Sequence, residues 1–281
     1  MAVKSTVYTT QFTSWTESVR TVCEAAGLKE LIKKIGKAVL VKPNLVEDLA
    51  PPITTPVNLV AELVAYIHEE LDGVEIIIGE GCGSTSYDTH YVFRQLGYAE
   101  LARQRNIRLV DLNDEPLLAL ANPDCRRWPQ MHLPKILFDV FLLSVPVLKA
   151  HSLAGVTLTM KNMMGAAPPK HFQQGGAWKK AAFHDRIDPA IFDLNTYRTP
   201  DFTLLDATIG MQEAHLWGPT CVPPKNRLAV STDPVAMDVW GAELLGFSWQ
   251  QIGYLKMADG VLGSADYVEC QVREGEACGE A

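Results

Sequence analysis

Six short runs in this chain are apolar almost end to end: AVLVKP (38–43), VEIIIGE (74–80), IRLVDL (107–112), FDVFLLSVP (138–146), FTLLDA (202–207) and RLAVST (227–232). A strand with one wet face alternates polar and apolar residues. A run apolar at nearly every position is covered on both sides, as in a parallel sheet sandwiched between helices. The intervening segments 15–27, 56–71, 88–105, 188–197, 233–246 and 248–258 read as helices. Thr55-Pro56 and Asp233-Pro234 supply a capping side chain followed by proline at the first turn, and Gly246 closes the fifth helix. The fold class is therefore α/β, with a largely parallel or mixed sheet and helices on both faces, built either as one body or as two lobes around a cleft.

Charge and cysteine usage narrow the function classes. The net charge of −8 over 281 residues argues against a nucleic-acid binder, which needs a basic face for phosphates. No run of about 18 apolar residues suggests a membrane span, and MAVKSTVYTT lacks the basic and apolar regions of a signal peptide. A cytoplasmic setting without membrane or nucleic-acid partners is expected. The six cysteines form no C-x-x-C pair, so no iron–sulfur cluster or zinc ribbon is expected, and most are read as reduced thiols.

Against this acidic background, residues 149–186 hold six Lys or Arg and one acidic residue, Asp185. Such a basic island focuses anions on one place. Within LKAHSLAGVTLTMKNMMG (148–165), Lys149 and His151 share a face if the segment continues the preceding strand. Thr157 and Lys161 share one whether the local structure is strand or helix, because four residues is an even number or about one turn. A polar strip of Lys, His, Thr and Lys suits anion binding and acid–base chemistry; snorkelling lysines and a capping histidine would also account for it.

Three other places carry chemistry. Lys42 and Asn44 follow a strand, where ligands of open α/β sheets bind. The turn IIIGEGCGSTS offers backbone N–H groups and the hydroxyl of Ser84, but it lacks the final glycine of the dinucleotide fingerprint. In the same turn Glu80 suits a general base, a metal ligand or an ion-pair partner. Asp206, Asp233 and Asp238 are carboxylates in otherwise apolar surroundings that need donors or a cation; a helix cap explains Asp233, and a structural hydrogen bond explains Asp238. A divalent metal held by His151, His184, Asp185, Asp206 and Glu80 is left open, since these residues show no fixed ligand spacing.

Taken together, VKPNL (41–45), GEG (79–81), LKAHSLAGVTLTMKNMMG (148–165), DLN (193–195), PDFTLLDATIGMQ (200–212), STDPVAMDVWGAELLGF (231–247) and GVLGSAD (260–266) resemble the domain-of-unknown-function 362 family over residues 36–267. The resemblance implies an α/β domain over that range; the residues outside it read as an N-terminal helical segment at 1–35 and an acidic tail at 268–281. Residues 163–186 form a long loop or lid within it. Many members carry an appended iron–sulfur segment, which implies redox association; this chain has no such cysteine array. The family motifs mark Lys42, Asn44, Glu80, Lys149, His151, Lys161, Asn162, Asp206, Asp233 and Asp238.

The resulting expectation is an enzyme acting on a small carboxylate or phosphate metabolite. Its catalytic set would be His151, Lys149, Lys161, Glu80 and Asp206, with Glu80 or Asp206 tuning His151. Lys42, Asn44, Asn162, Thr157, Ser84, His184, Asp233 and Asp238 would bind the substrate. The reaction is left open between proton transfer and redox. The competing expectation is a non-catalytic anion or metal-cofactor binding protein, partnering a redox enzyme or a second copy of itself.

Overall fold

The computed structural model describes residues 4–273. Its elements run β1 (Ser5–Gln11), α1 (Trp15–Ala25), α2 (Leu28–Ile35), β2 (Val39–Pro43), α3 (Val57–Glu70), β3 (Ile76–Glu80), α4 (Thr89–Gln95), α5 (Tyr98–Arg105), β4 (Arg108–Asp111), β5 (Leu117–Ala121), β6 (Gln130–Pro134), β7 (Phe141–Val145), β8 (Val147–His151) and β9 (Gly155–Thr157). They continue with α6 (Thr159–Asn162), α7 (Pro169–Phe172), α8 (Ile187–Tyr197), β10 (Phe202–Met211), β11 (Arg227–Ser231), α9 (Pro234–Leu244), α10 (Gly253–Ala258) and β12 (Tyr267–Gln271). One mixed sheet has the order β12-β1-β11-β10-β7-β2-β3-β4, with β8 and β9 branching from β10, and β5 and β6 form a separate hairpin. The central strands β10, β7, β2, β3 and β4 are parallel.

The central apolar strands β2, β3 and β7 are buried on both faces, as expected, whereas β4 at the sheet edge is buried only at Val110 and Asp111. Val39 and Val41 pack into the core beneath α1 to α5, while Leu40 between them faces the core beneath α8, α9 and α10. The same alternation holds for Ile76 and Ile78 against Ile77, and for Phe141 and Leu143 against Leu142. Each such side chain contributes roughly 1.5–3 kcal/mol by leaving water. A single sheet thus carries both cores, in place of two lobes.

Several boundaries differ from the sequence reading. The expected helix 88–105 is two, because Gly97 at φ +84° ends α4 and starts α5 in a new direction. Residues 1–35 are not purely helical: β1 pairs antiparallel with β11 and parallel with β12. Its sequence, STVYTTQ, is too hydroxylic to stand out as a strand. The same pairing places 267–271 at the edge of the sheet, so the first residues of the expected acidic tail are strand; residues 274–281 lie outside the described residues. The stretch 163–186 contains α7 and two 3-10 turns, anchored where Phe172 and Phe183 pack around Trp128. Among the described residues, no helix is long and apolar enough to cross a membrane.

One irregularity places the chemistry. β10 pairs first with β7 (Phe202↔Leu143) and then with β8, beginning at Asp206↔Val147 and passing through a register shift to Met211↔Lys149. β8 therefore carries its side chains past the carboxyl end of the parallel sheet, where β9 folds back and sets Thr157 opposite Lys149.

Candidate functional site

At the carboxyl end of β2, Lys42 is fully buried and donates to Glu80 Oε2 (2.8 Å), at the end of β3, and to Asn162 Oδ1 (3.2 Å) on α6. Glu80 Oε1 accepts from Gly81 N at 2.8 Å. Asn162 donates from Nδ2 to Ser144 Oγ (3.0 Å) and to the Lys42 carbonyl (3.3 Å). Burial lowers the Lys42 pKa and the adjacent Glu80 opposes that shift, so the corner is a compensated ion pair. Two glycines let the wall close over it. A Cβ on Gly165 would collide with the Glu80 carboxylate and the Lys42 amine, and one on Gly81 with the Gly165 carbonyl and Asn113 Oδ1.

Beside this corner lies a cavity of about 110 Å³. Lys149, 1% exposed, has one hydrogen bond among the described residues, donated to the Ile53 carbonyl at 2.6 Å. Half-buried Lys161 has no hydrogen-bond or ion-pair partner among the described residues. Burial lowers the pKa of Lys149 to about 7, helped by the charge of Lys161, and that of Lys161 to about 8. Opposite Lys149, the buried Thr157 hydroxyl lacks a partner.

Three imidazoles complete the wall. The His151 and His215 rings stack at 4.1 Å, and His184 lies 6.1 Å from His151. His151 Nδ1 accepts the backbone N–H groups of Leu153 and Ala154, both at 3.1 Å. With Nδ1 occupied as an acceptor, the ring is neutral and its proton sits on Nε2. Burial and Lys161 lower its pKa in the same sense. His215 is pushed down to about 4 by burial and by Lys161 and Lys149. His184 is also lowered, first by burial. Among the described residues no group of three or more His, Cys, Asp or Glu side chains could hold a metal ion.

The expected site residues therefore divide. Asn44, Glu80, Lys149, His151, Thr157, Lys161, Asn162 and His184 line one cavity, and Lys42 stands behind Glu80. Four others do not reach it. Ser84 Oγ closes a turn by accepting Ser86 N. Asp233 caps α9 through Val235 N and Ala236 N and also accepts Ser264 N. Asp206 Oδ1 is taken by the Thr208 N–H and hydroxyl. Asp238 accepts Thr159 N (2.7 Å), Met160 N (3.1 Å) and the Tyr254 hydroxyl (3.1 Å), so it fixes the start of α6, which presents Lys161 and Asn162. Backbone N–H groups, not Glu80 or Asp206, orient His151.

Sequence reasoning missed Lys180, His215 and Trp178 as wall residues. Buried Lys180 bonds to Asn113 Oδ1 and the Ala167 carbonyl, and burial lowers its pKa to about 7. Its place in the basic island was the available signal. His215 sits in an irregular segment with no pattern around it.

Comparison with known proteins agrees with this architecture. A thylakoid-associated protein, sll1697, of Synechocystis sp. is 26% identical over 229 residues, covering 79% of this chain and 67% of its own. The solved lactate racemase apoprotein of Thermoanaerobacterium thermosaccharolyticum superposes with a TM-score of 0.51 at 15% identity; 84% of this chain is covered, and it spans 56% of that structure's length. That likeness concerns the fold. The family model described as Domain of unknown function (DUF362) matches residues 39–243, from the start of β2 to the end of α9, and the chain belongs to this family.

Proposed function

We propose that the cavity binds a small carboxylate or phosphate metabolite and carries out proton-transfer chemistry on it. The observation that carries this reading is the pair Lys149 and Lys161, two ammonium groups converging on one cavity with no carboxylate partner among the described residues. Buried cations are normally paired; here the missing counter-charge is the ligand's. An engineered cavity of about 150 Å³ holds benzene, so a site of about 110 Å³ suits a metabolite of a few heavy atoms.

In this reading Lys161 and Lys149 hold the anion, and Asn44 and Asn162 orient it. His151, fixed as an Nε2–H donor, supports negative charge developing on a substrate oxygen without itself ionising. The amine of Lys149, with a pKa of about 7, is the group suited to take and return a proton near neutral pH. Glu80 holds Lys42 and is not free to act as the base. The fold shared with a lactate racemase makes lactate the first probe.

Thermal unfolding with lactate, phosphate or chloride tests the reading, since a ligand of the folded state raises Tm. Lactate or phosphate raises Tm in the native chain, and Lys161→Met cancels the rise. Equal shifts in native and substituted chains, or none in either, would contradict it. Hydrogen–deuterium exchange at the lactate C2 position, followed by NMR, then separates an enzyme from a binding protein.

A further inference from the structure

We propose that Lys149 condenses with the carbonyl of a small 2-oxo carboxylate to form a protonated imine, with Lys161 holding the carboxylate and Thr157 facing the departing oxygen. This rests on the anion-site reading above and narrows the ligand to a class.

Three lysines, Lys149, Lys161 and Lys180, line the cavity and a fourth, Lys42, stands behind Glu80; their hydrogen-bond commitments differ. Lys42 is tied to Glu80 and Asn162, and Lys180 to Asn113 and the Ala167 carbonyl. Among the described residues Lys149 has only the Ile53 carbonyl, which accepts an N–H and leaves a neutral amine's lone pair uncommitted. A buried amine beside a second cation favours that neutral form, and burial with Lys161 nearby brings Lys149 to about 7. Across the β8–β9 ladder, Thr157 is paired with Lys149, and its buried hydroxyl has no partner. A hydroxyl there is placed to relay a proton to a leaving oxygen. His151 Nε2–H adds a donor on the same strand.

The step balances without an oxidant or reductant. The Lys149 Nζ lone pair attacks the ketone carbon, the C=O π bond opens, and one proton moves from nitrogen to oxygen to give the carbinolamine. A second proton, drawn from solvent, reaches that oxygen through Thr157; the C–O bond breaks and water leaves as the C=N bond forms. The protonated imine retains a positive charge beside the substrate carboxylate, so the electrostatic logic of the anion site is preserved.

The test is reduction with sodium borohydride in the presence of pyruvate at pH 7, followed by peptide mass spectrometry. The expected result is a reduced pyruvyl adduct on Lys149, favoured over any exposed lysine by on the order of a thousandfold because exposed amines are almost wholly protonated at that pH. Excess lactate, which has no ketone, protects Lys149 by occupying the anion site. Lys149→Arg removes the adduct, with its Tm reporting whether the variant folds. The lactate protection uses the native chain and does not depend on that variant. No Lys149 adduct while lactate still raises Tm overturns the imine and leaves the anion site standing. No adduct and no Tm shift overturns both.

Discussion

Lys42 and Lys149 are both fully buried lysines at the carboxyl ends of strands, about as similar as two positions in one sheet can be. Around Lys42 the protein supplies a carboxylate, an amide and a backbone carbonyl. Around Lys149 it supplies one backbone carbonyl, a second cation and a cavity. The first arrangement is an internal strut that brings β2, β3 and α6 together. The second lacks an anion. A buried charge therefore acquires its meaning from what faces it, and the two corners should differ in how much stability they lose when a charge is removed.

The largest expected effect is at the paired corner. Removing one member of a buried ion pair strands the other, so Glu80→Gln should lower the urea-unfolding free energy by about 3–5 kcal/mol. Lys149→Met removes a charge that has no partner and should change stability by less than about 1 kcal/mol. Equal losses at both positions would erase the distinction.

Next in size is Gly165→Ala, whose methyl group meets the Glu80 carboxylate and the Lys42 amine. Overpacking of this kind costs about 1–3 kcal/mol, measurable by the same unfolding titration. On the ligand side, charged hydrogen bonds are worth about 1.5–3 kcal/mol, so Lys161→Met should weaken lactate binding roughly tenfold to a hundredfold by calorimetry with little change in stability.

A separate, pH-dependent effect concerns Asp238, which acts on the cavity only through α6. Burial raises its pKa to about 7, so the folded state holds this proton more tightly than the unfolded chain. Its contribution to stability is present below about pH 4 and is lost as pH rises through about 7. Asp238→Asn should flatten that part of the pH–stability curve. An unchanged curve would show that the carboxylate is not titrating there.

How far the sequence could be read follows from the kind of signal each feature leaves. Strands buried on both faces are written in consecutive residues such as Val39–Val41 and Ile76–Ile78, and their ends located Lys42 and Glu80. Lys149, His151, Thr157 and Lys161 fell within one short segment, so their convergence needed only β8, β9 and α6. Asp206, Asp233 and Asp238 look alike in sequence, the first two carboxylates at strand ends and the third on an otherwise apolar helical face. What separates them from the cavity is their donors: Thr208 for Asp206, Ser264 as well as the α9 N-terminus for Asp233, and Thr159, Met160 and Tyr254 for Asp238. Most of those contacts are long-range and leave no local pattern. The same holds for His215, and for Gly81 and Gly165, whose lack of a Cβ matters only once two distant turns meet.

The most direct measurement is calorimetric titration of lactate against the native chain from pH 6 to pH 10, a range in which the ligand's own charge is constant. If Lys149 and Lys161, at about 7 and about 8, are the receptors, affinity is highest at the acid end and falls as pH rises through those values, and binding at pH 8 takes up protons from the buffer. Affinity independent of pH over that range, with no proton uptake, would contradict the assignment of the uncompensated lysines as the anion site.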